Sequence, residues 1–278
     1  MEPRADTPLV EKIVRLSIVI PAFNEEDYLP ACLNEVLAEV ARYSGPETIE
    51  VLVVDNASTD ATAEIACRAP GVSVVKEPVK GLTRARQAGL EAANGDIIAY
   101  VDADTRMPPG WIARVMRTFE RKPNVVCVSG PYIYYDAAAW QRAMVRLYWL
   151  FLASPAYWMT RYMVVGGNFA VRRSALEQIG GFDTSIAFYG EDTNIARRLK
   201  AAGRVKFLLR LPMPTSSRRL AAEGMTATAF KYAANFLGEA VLKRPVTEAY
   251  SDIRWPSTPA PATAMRRRSR GQRGRPSP

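Results

Sequence analysis

The stretch Asp96-Ile97-Ile98-Ala99-Tyr100-Val101-Asp102-Ala103-Asp104 joins an apolar run to a pair of aspartates. A short apolar run that contains β-branched residues predicts a strand that is buried on both faces of a sheet. Asp102 and Asp104 would then lie at the carboxyl end of this strand, where open α/β sheets bind their ligands. The stretch therefore predicts a mostly parallel sheet together with the position of its site.

Similar runs alternate with helical patterns along the chain, which is typical of βαβ units. Strands are predicted over 16–20, 49–54, 72–75, 96–101, 125–129 and 205–209, and helices over 29–40, 61–69, 81–93, 190–202 and 226–242. We therefore expect an α/β fold with a Rossmann-like, mostly parallel central sheet that is flanked by helices.

The composition narrows the chemistry that the chain can perform. Its 278 residues include no histidine, so any acid or base chemistry has to use carboxylates. The formal charge is +9, but six arginines and no acidic residue lie in 255–278, which leaves only +3 for the rest. A specific nucleic-acid binder is therefore not favoured, and the Pro- and Arg-rich tail is predicted to be disordered. No secretory signal is recognised, which favours a cytoplasmic location.

The three cysteines, Cys32, Cys67 and Cys127, show neither a C-x-x-C pair nor a zinc-binding spacing. We interpret them as small buried apolar residues in a reducing compartment.

An apolar and aromatic stretch spans 137–165 and contains Arg142, Arg146 and Arg161. The segment between Arg146 and Arg161 has 14 residues and is interrupted by Pro155, whereas a helix needs about 20 apolar residues to cross a bilayer. Two interpretations stay open. The stretch lies against a membrane surface or lines an acceptor groove, or it packs in the core or in a dimer interface.

Polar side chains follow other predicted strands of the first half as well. Asn24 and Glu25 follow the first strand, and Asp55 with Asn56 follows the second. Because the carboxyl ends of parallel strands share one edge, these groups and the two aspartates are expected to converge on one crevice. Carboxylates at such an edge favour Mg²⁺ or Mn²⁺, which in turn prefer phosphate oxygens.

Basic residues near this edge could serve a phosphate. Lys80, Arg84 and Arg86 would face its oxygens, and the alternative for the arginines is a solvated helix face. The alternative for Asp102 and Asp104 is that they cap the helix that begins near Pro109.

Five motifs occur together in the order and approximate spacing of a known family. They are Pro21-Ala22-Phe23-Asn24-Glu25-Glu26, Asp55-Asn56-Ala57-Ser58-Thr59-Asp60, Asp102-Ala103-Asp104, Gly166-Gly167-Asn168 and Gly190-Glu191-Asp192. Over roughly residues 15 to 220 the chain resembles the family 2 glycosyltransferases, which have the GT-A fold. The resemblance implies a nucleotide-sugar donor, a divalent metal, inversion at the anomeric carbon and a place in cell-envelope or polysaccharide biosynthesis.

The same resemblance implies roles for individual residues. Asp192 resembles the catalytic base, Asp104 the metal ligand, Asp55 the contact to the nucleotide base and Glu25 a residue near the ribose. The donor-binding set implied in this way is Pro21, Ala22, Phe23, Glu25, Asp55, Arg86, Asp102, Ala103 and Asp104. On the acceptor side stand Gly167, Asn168 and Glu191, and Arg218 with Arg219 could bind the diphosphate.

Asp192 also fits the role of a base on its own chemistry. It opens a predicted helix that ends at Gly203, and a helix N-terminus stabilises an anion by about 0.3–1 kcal/mol. We therefore expect its ionised form to be favoured. The alternative is that Asp192 is only an N-cap. Many relatives add a histidine ligand to the metal, and this chain has none. The metal would then be held chiefly by Asp104, the diphosphate and waters, or Arg218 and Arg219 would share its role.

These expectations give a domain plan and a function. We divide the chain into an N-terminal extension (1–14), a nucleotide-sugar-binding half (15–123), an acceptor-binding and catalytic half (124–245) and the basic tail (246–278). The predicted function is an inverting glycosyltransferase that acts on an acceptor hydroxyl or phosphate. A lipid-linked acceptor, with peripheral contact at the inner face of the membrane, is a second hypothesis. A non-catalytic nucleotide-sugar or glycan binding module and a nucleotidyltransferase are the alternatives.

Overall fold

The centre of the molecule is a sheet of seven strands, and a second sheet has two. The strands are β1 Leu16–Ala22, β2 Ile49–Asp55, β3 Val72–Lys76, β4 Ile97–Val101, β5 Val125–Ser129, β6 Tyr132–Tyr134, β7 Asn168–Arg172, β8 Arg204–Phe207 and β9 Met213–Thr215. The computed structural model describes residues 15–186 and 190–223 of the chain. The N-terminal extension, the helix expected over 226–242 and the basic tail lie outside the described residues.

The large sheet has the strand order β3-β2-β1-β4-β7-β5-β8. β7 pairs antiparallel with both β4 and β5, whereas the pairings among β1 to β4 and between β5 and β8 are parallel. The expected mostly parallel sheet is therefore confirmed. The sequence analysis does not predict β7.

Helices cover both faces of this sheet. They are α1 Leu29–Arg42, α2 Thr62–Arg68, α3 Leu82–Ala92, α4 Trp111–Arg121, α5 Ala139–Tyr148, α6 Ser154–Thr160, α7 Arg173–Gln178, α8 Glu191–Ala202 and α9 Arg218–Glu223. Alternation along β1 sends Leu16, Ile18 and Ile20 into the core under α1 and α4, and Val19 into the core under α3 and α8. The predicted strands and helices that fall on described residues are confirmed, with ends that shift by a few residues.

Glu39 of α1 caps the helix α4. One of its carboxylate oxygens accepts the N–H of Gly110 at 3.0 Å and the other accepts the N–H of Ile112 at 3.2 Å. These are the N–H groups that a helix start leaves without a partner inside the helix. The alternative in which Asp102 and Asp104 cap this helix is therefore wrong, and both aspartates remain available to the site.

The apolar stretch after β6 forms α5, a π-helical turn over Trp149–Ala153 and α6. Neither α5 nor α6 contains a buried residue. The two helices of the stretch therefore do not pack in the core, whereas Tyr162 and Val164 at its end do. Cys32 and Cys127 are buried as expected, but Cys67 is exposed, because the outward face of the short helix α2 carries it.

Candidate active site

The turn after β4 presents its two aspartates to different partners. The hydroxyl and the backbone N–H of Thr105 both donate to the carbonyl oxygen of Asp102, at 2.8 and 3.1 Å, which closes a tight turn. The Asp102 side chain is 34% exposed and the Asp104 side chain only 13% exposed. The turn thus leaves the Asp102 carboxylate accessible and the Asp104 carboxylate largely buried.

Arg218 joins Asp104 to Glu25. Its Nε lies 3.0 Å from Oδ2 of Asp104, and its Nη1 donates to Oε2 of Glu25 at 2.9 Å. The second guanidinium nitrogen of Arg218 donates to the other oxygen of Glu25. The hydroxyl of Thr215, at the end of β9, donates to Oδ1 of Asp104 at 3.2 Å. One arginine therefore neutralises a carboxylate from the first loop and one from the Asp-x-Asp turn.

Burial shifts the proton equilibria of this group. Burial raises the pKa of Glu25 from 4.5 to about 7, although Arg218 acts to lower it. Burial also raises the pKa of Asp104, again against the effect of Arg218. The carboxylates in turn stabilise the charged form of the arginine. Asp104 and Glu25 raise the pKa of Arg218, although its burial acts to lower it.

Arg86 forms the second charged group. It is 1% exposed, and its Nη1 lies 3.3 Å from Oδ1 of Asp192 and 3.8 Å from Oε1 of Glu191. Its Nη2 lies 3.9 Å from Oδ1 of Asp102. Residues from α3, α8 and the turn after β4 therefore meet at one guanidinium. Through Asp102 and Asp104, the same turn connects the group around Arg86 to the group around Arg218.

Two glycines allow the chain to pass close to this group. The N–H of Gly166 donates to Oδ2 of Asp192 at 2.8 Å, and a Cβ at Gly166 would collide with that carboxylate and with Arg86. A Cβ at Gly167 would collide with Asp102. Neither position can carry a side chain without moving the charged group.

Tyr132 links Gly167 to Asp102. Its hydroxyl donates to Oδ2 of Asp102 at 2.7 Å and accepts the N–H of Gly167 at 2.7 Å. Neither Tyr132 nor Thr215 was singled out from the sequence. Tyr132 lies in no motif, although it closely follows a buried strand. Thr215 lies three residues before Arg218, which is a candidate from the sequence.

Asp192 lies in the first turn of α8, as the sequence predicts. Its pKa is nevertheless raised, because burial outweighs the opposing effects of Arg86 and of the N–H of Gly166. The expectation that the helix N-terminus favours the ionised form is therefore wrong in its net sign. A raised pKa suits a general base, since proton transfer is most efficient when the pKa of the base approaches the working pH. The side chain is 29% exposed, so a ligand can reach it.

The first two strands bring further candidates to the same edge. Ala22 at the end of β1 pairs with Asp55 at the end of β2. Oδ1 of Asp55 accepts the N–H of Ser58 at 3.2 Å, which shapes the turn that follows. The ammonium group of Lys80 lies 4.0 Å from the centre of the Phe23 ring. The structure thus brings the first-loop candidates beside the charged groups, with Asp55 and Phe23 at their flank.

Other candidates take different places. Asn168 is fully buried, and its amide bonds to Trp111 and to the carbonyl groups of Pro131 and Leu211. Its side chain holds core segments together and does not join the charged groups. Arg84 is exposed on α3, as the solvated-face alternative has it. Arg219 acts to lower the pKa of Asp104, so its charge lies within reach of the site.

A metal ion would find few ligands here without a substrate. Within residues 15–186 and 190–223, no three acidic or cysteine side chains form a group that could hold an ion. Asp102 and Asp104 nevertheless supply the oxygen ligands that Mg²⁺ and Mn²⁺ prefer. The usual arrangement for these ions is one or two carboxylates together with substrate phosphates. The residues therefore fit an ion that is bound jointly with a diphosphate.

A sheet of this order, with helices on both faces and acidic groups at its carboxyl edge, defines a protein of the GT-A class. Within this class the chain belongs to glycosyl transferase family 2, whose model matches residues 17–180. The resemblance to this family is thereby confirmed. Four of the five motifs lie within the matched residues, and Gly190-Glu191-Asp192 lies beyond them. No helix of the described chain combines the length and the apolar character that crossing a membrane requires.

Two curated relatives show how far the likeness extends. An undecaprenyl-phosphate 4-deoxy-4-formamido-L-arabinose transferase of Photorhabdus laumondii is 34% identical over 122 residues, which cover 42% of this chain and 37% of that protein. An uncharacterized glycosyltransferase of Mycobacterium tuberculosis is 39% identical over 111 residues, which cover 40% of this chain and 46% of that protein. The matched region is thus less than half the length of these relatives.

Solved structures share the fold over a longer range. A mannosyltransferase from Pyrobaculum calidifontis, in complex with GDP-Man and Mn²⁺, superposes with a TM-score of 0.60 at 22% identity, covering 84% of this chain and 64% of that chain. A glucosyl-3-phosphoglycerate synthase from Mycobacterium tuberculosis, in complex with Mn²⁺, UDP-glucose and phosphoglyceric acid, has a TM-score of 0.52 at 22% identity, covering 81% and 79%. At these identities the likeness shows the fold.

Proposed function

We propose that this chain is an inverting glycosyltransferase that moves a sugar from a nucleotide diphosphate to an acceptor hydroxyl or phosphate. The observation that carries the proposal is the meeting of Asp192 with Arg86 and Asp102 at the carboxyl edge of the sheet. A carboxylate that is held from two sides and still reachable has the properties of a general base. The arrangement needs no histidine, in keeping with the composition.

The donor side is assigned to the edge formed by β1, β2 and β4. Phe23 and Asp55 flank the position for the nucleotide base, and Glu25 stands nearer the charged groups as a candidate for the ribose. Pro21, Ala22 and Ala103 supply backbone at the same edge. Two solved neighbours contain GDP-Man and UDP-glucose, which supports a nucleotide sugar as the donor. The division into a donor half (15–123) and an acceptor half (124–245) belongs to this proposal.

A divalent ion is assigned to Asp104, with Asp102 beside it. When bound, Mg²⁺ or Mn²⁺ would neutralise the charge that develops on the diphosphate leaving group. Arg218 and Arg219 are placed to contribute positive charge to the same leaving group, since a guanidinium binds phosphate oxygens with paired N–H donors. Two neighbours are complexes with Mn²⁺, which supports the use of an ion in this fold.

The step itself is one displacement. The acceptor oxygen forms a bond to the anomeric carbon while the bond from that carbon to the diphosphate oxygen breaks, and the nucleotide diphosphate leaves. Asp192 takes the proton of an acceptor hydroxyl, and Arg86 and the N–H of Gly166 fix the orientation of its carboxylate. Because the oxygen enters opposite the leaving group, the anomeric configuration is inverted.

The acceptor is proposed to carry a phosphate on a lipid. The named relative from Photorhabdus acts on undecaprenyl phosphate, and the apolar segment that contains α5 and α6 is exposed. A phosphate with a second pKa near 6 is already ionised at neutral pH, so it needs Asp192 less than a hydroxyl does. This acceptor would place the enzyme at the inner face of the membrane.

Donor binding and transfer are tested separately. Thermal unfolding is followed with UDP, GDP and dTDP sugars, each with and without Mn²⁺, because a ligand of the folded state raises its stability. Product formation is then measured with the stabilising donor and with polyprenyl phosphate or a simple sugar as the acceptor. Stabilisation by one donor followed by transfer supports the proposal, and absence of stabilisation by any donor contradicts it.

The anomeric configuration of the product tests inversion. Stabilisation without transfer to any acceptor would support the alternative of a non-catalytic binding module. Release of pyrophosphate from a nucleoside triphosphate and a sugar phosphate would support a nucleotidyltransferase.

A further inference from the structure

The segment from α5 to α6 carries most of the exposed large apolar side chains of the described residues. Nine of the twelve large apolar side chains that are exposed among the described residues belong to it. We call these nine the apolar ridge: Trp140, Met144, Leu147, Tyr148, Leu150, Phe151, Leu152, Trp158 and Met159. Continuous exposed apolar patches mark surfaces that bind another molecule or a membrane.

The segment is fixed to the body by one side. Nε1 of Trp149 donates to the carbonyl oxygen of Tyr132 at 2.9 Å, and its ring stacks on Phe207 with centroids 5.5 Å apart. The hydroxyl of Tyr157 donates to the carbonyl oxygen of Val205 at 3.3 Å. These contacts with β6 and β8 fix the orientation of the segment. The ridge therefore faces outward from a segment that is anchored to the body of the protein.

The charges around the ridge are of one sign. Arg142, Arg146 and Arg161 lie in or next to the segment, and no aspartate or glutamate occurs between Asp136 and Glu177. The guanidinium of Arg161 lies 4.8 Å from the ring centre of Trp158. Aromatic and apolar side chains flanked by arginines are the composition of helices that lie in the interface of an anionic bilayer.

This charge pattern favours a lipid bilayer over a second copy of the chain as the partner of the ridge. A second copy of the chain would bring its own arginines against these arginines, with no acidic residue in the segment to compensate them. An anionic lipid surface supplies both the apolar layer and the negative charge. Neither α5, with 10 residues, nor α6, with 7, has the length to cross a bilayer, so the segment would lie along the surface.

A cleft lies next to α5, between the ridge and the small sheet. It has a volume of about 260 Å³ between α5 and the small sheet, and Arg142, Arg146, Tyr134 and Pro214 are among its lining residues. Pro214 lies in β9, next to Thr215, whose hydroxyl bonds to Asp104. An anionic headgroup in this cleft would lie beside β9, whose Thr215 contacts Asp104 of the Asp-x-Asp turn.

We propose that the apolar ridge docks on the surface of an anionic lipid bilayer, with Arg142 and Arg146 at the level of the lipid phosphates. This inference rests on the proposed function in one respect: a lipid-linked acceptor gives the enzyme a reason to bind a membrane. Docking itself needs neither donor nor turnover, so it can be measured independently of them.

The test is co-sedimentation of the full chain with phosphatidylcholine vesicles that do or do not contain phosphatidylglycerol. All chains carry glutamine in place of the six arginines in 255–278, which removes the attraction of this part of the tail to anionic lipid. We expect binding to the anionic vesicles and about tenfold or more weaker binding for Phe151→Ser/Leu152→Ser, because two apolar side chains lose their burial. Leu209→Ser, at an exposed apolar residue outside the ridge, is the matched control.

The arginines are tested in the same way. Arg142→Gln/Arg146→Gln should weaken binding by about fivefold per arginine at low salt, with little difference at high salt. Arg114→Gln/Arg117→Gln on α4 removes the same charge elsewhere and should have no such effect. Equal binding of the ridge variant and the parent chain, or no binding of the parent chain to anionic vesicles, would overturn the proposal.

Two further measurements keep the result clear. Thermal unfolding shows whether each variant is folded. Quenching of tryptophan fluorescence by brominated lipid reports contact with the bilayer, and it should be reduced in Trp140→Phe/Trp158→Phe, which removes both tryptophans of the ridge. Sedimentation velocity without vesicles reveals a second copy on the ridge. A dimer that Phe151→Ser/Leu152→Ser dissociates, without vesicle binding by the parent chain, would overturn the proposal in favour of self-association.

Discussion

Arg218 and Asp104 form an ion pair, with 3.0 Å between Nε and Oδ2, and the same guanidinium holds both oxygens of Glu25. The pair crosses the site from the last described helix to the turn after β4. A diphosphate with its metal ion would use the same charges. Under the proposed function, donor binding and this ion pair would therefore compete for Arg218 and Asp104.

Arg218→Gln should lower the free energy of unfolding by about 3 kcal/mol in the absence of metal, because it leaves two buried carboxylates without their cation. The measurement is urea unfolding above pH 7, where Glu25 is ionised. Mn²⁺ should stabilise this variant more than the parent chain, since the ion then meets carboxylates that no arginine neutralises. Arg219→Gln removes the same charge from the next position, and an equal loss in that variant would contradict the assignment.

Asp192→Asn should reduce transfer to a hydroxyl acceptor by about 10²- to 10⁴-fold, the usual contribution of a general base. Donor affinity from thermal shifts should stay nearly unchanged, because the amide keeps the shape of the carboxylate. With a phosphate acceptor the loss should be smaller. Glu191→Gln, at the neighbouring position, serves as the comparison. Unchanged turnover of Asp192→Asn with a hydroxyl acceptor would remove Asp192 from the role of base.

Glu25 should make the protein less stable as the pH rises from 4.5 to 7. The pKa of its carboxyl is raised in the folded chain, so the folded state holds a proton that the unfolded state releases in this window. The free energy of unfolding should fall across the window by up to about 3 kcal/mol, since one pKa unit corresponds to about 1.4 kcal/mol. Denaturant unfolding at several pH values should show this slope in the parent chain and in Glu26→Gln. In Glu25→Gln the slope should be smaller, and what remains comes from other carboxyls with a raised pKa, such as Asp104 and Asp192.

Tyr132→Phe should lower the stability of the fold by about 1–3 kcal/mol, because the N–H of Gly167 loses its acceptor and Asp102 loses a donor. Transfer should fall as well, since Asp102 is then free to move toward Arg86. Tyr134→Phe, two residues along the same strand, is the matched control for the removal of a hydroxyl. Both the unfolding curve and the turnover are measured, and identical results for the two variants would show that the contact to Asp102 contributes nothing.

The edge of the sheet could be predicted from local patterns. Three elements have patterns that depend only on neighbouring residues in the chain. They are the strand over 97–101 with the two aspartates that follow it, the helix after Glu25 and the helix whose first turn contains Asp192. Their convergence follows from a rule about parallel strands, and it needs no knowledge of side-chain contacts.

The rest of the site depends on contacts between distant parts of the chain. β7 follows a glycine pair and is short, so its sequence alone does not distinguish it from a loop. Arg86 and Arg218 are arginines on helices, and nothing local indicates that one is buried under three carboxylates while the other spans two. The net sign of the pKa shift of Asp192 is set by burial, which the sequence pattern around a helix N-terminus does not report.

The reversed direction of β7 has a consequence for how such a chain can change. β5 ends where β7 begins, and the N–H of Gly130 donates to the carbonyl oxygen of Asn168 at this junction, at 3.3 Å. Everything between them leaves the sheet and returns to it at one place, beside the charged groups. A segment attached in this manner can be lengthened, shortened or exchanged while the strand pairing stays intact. Under the proposed division of the chain, such changes would alter the acceptor that is bound while the donor-binding edge of the sheet keeps its structure.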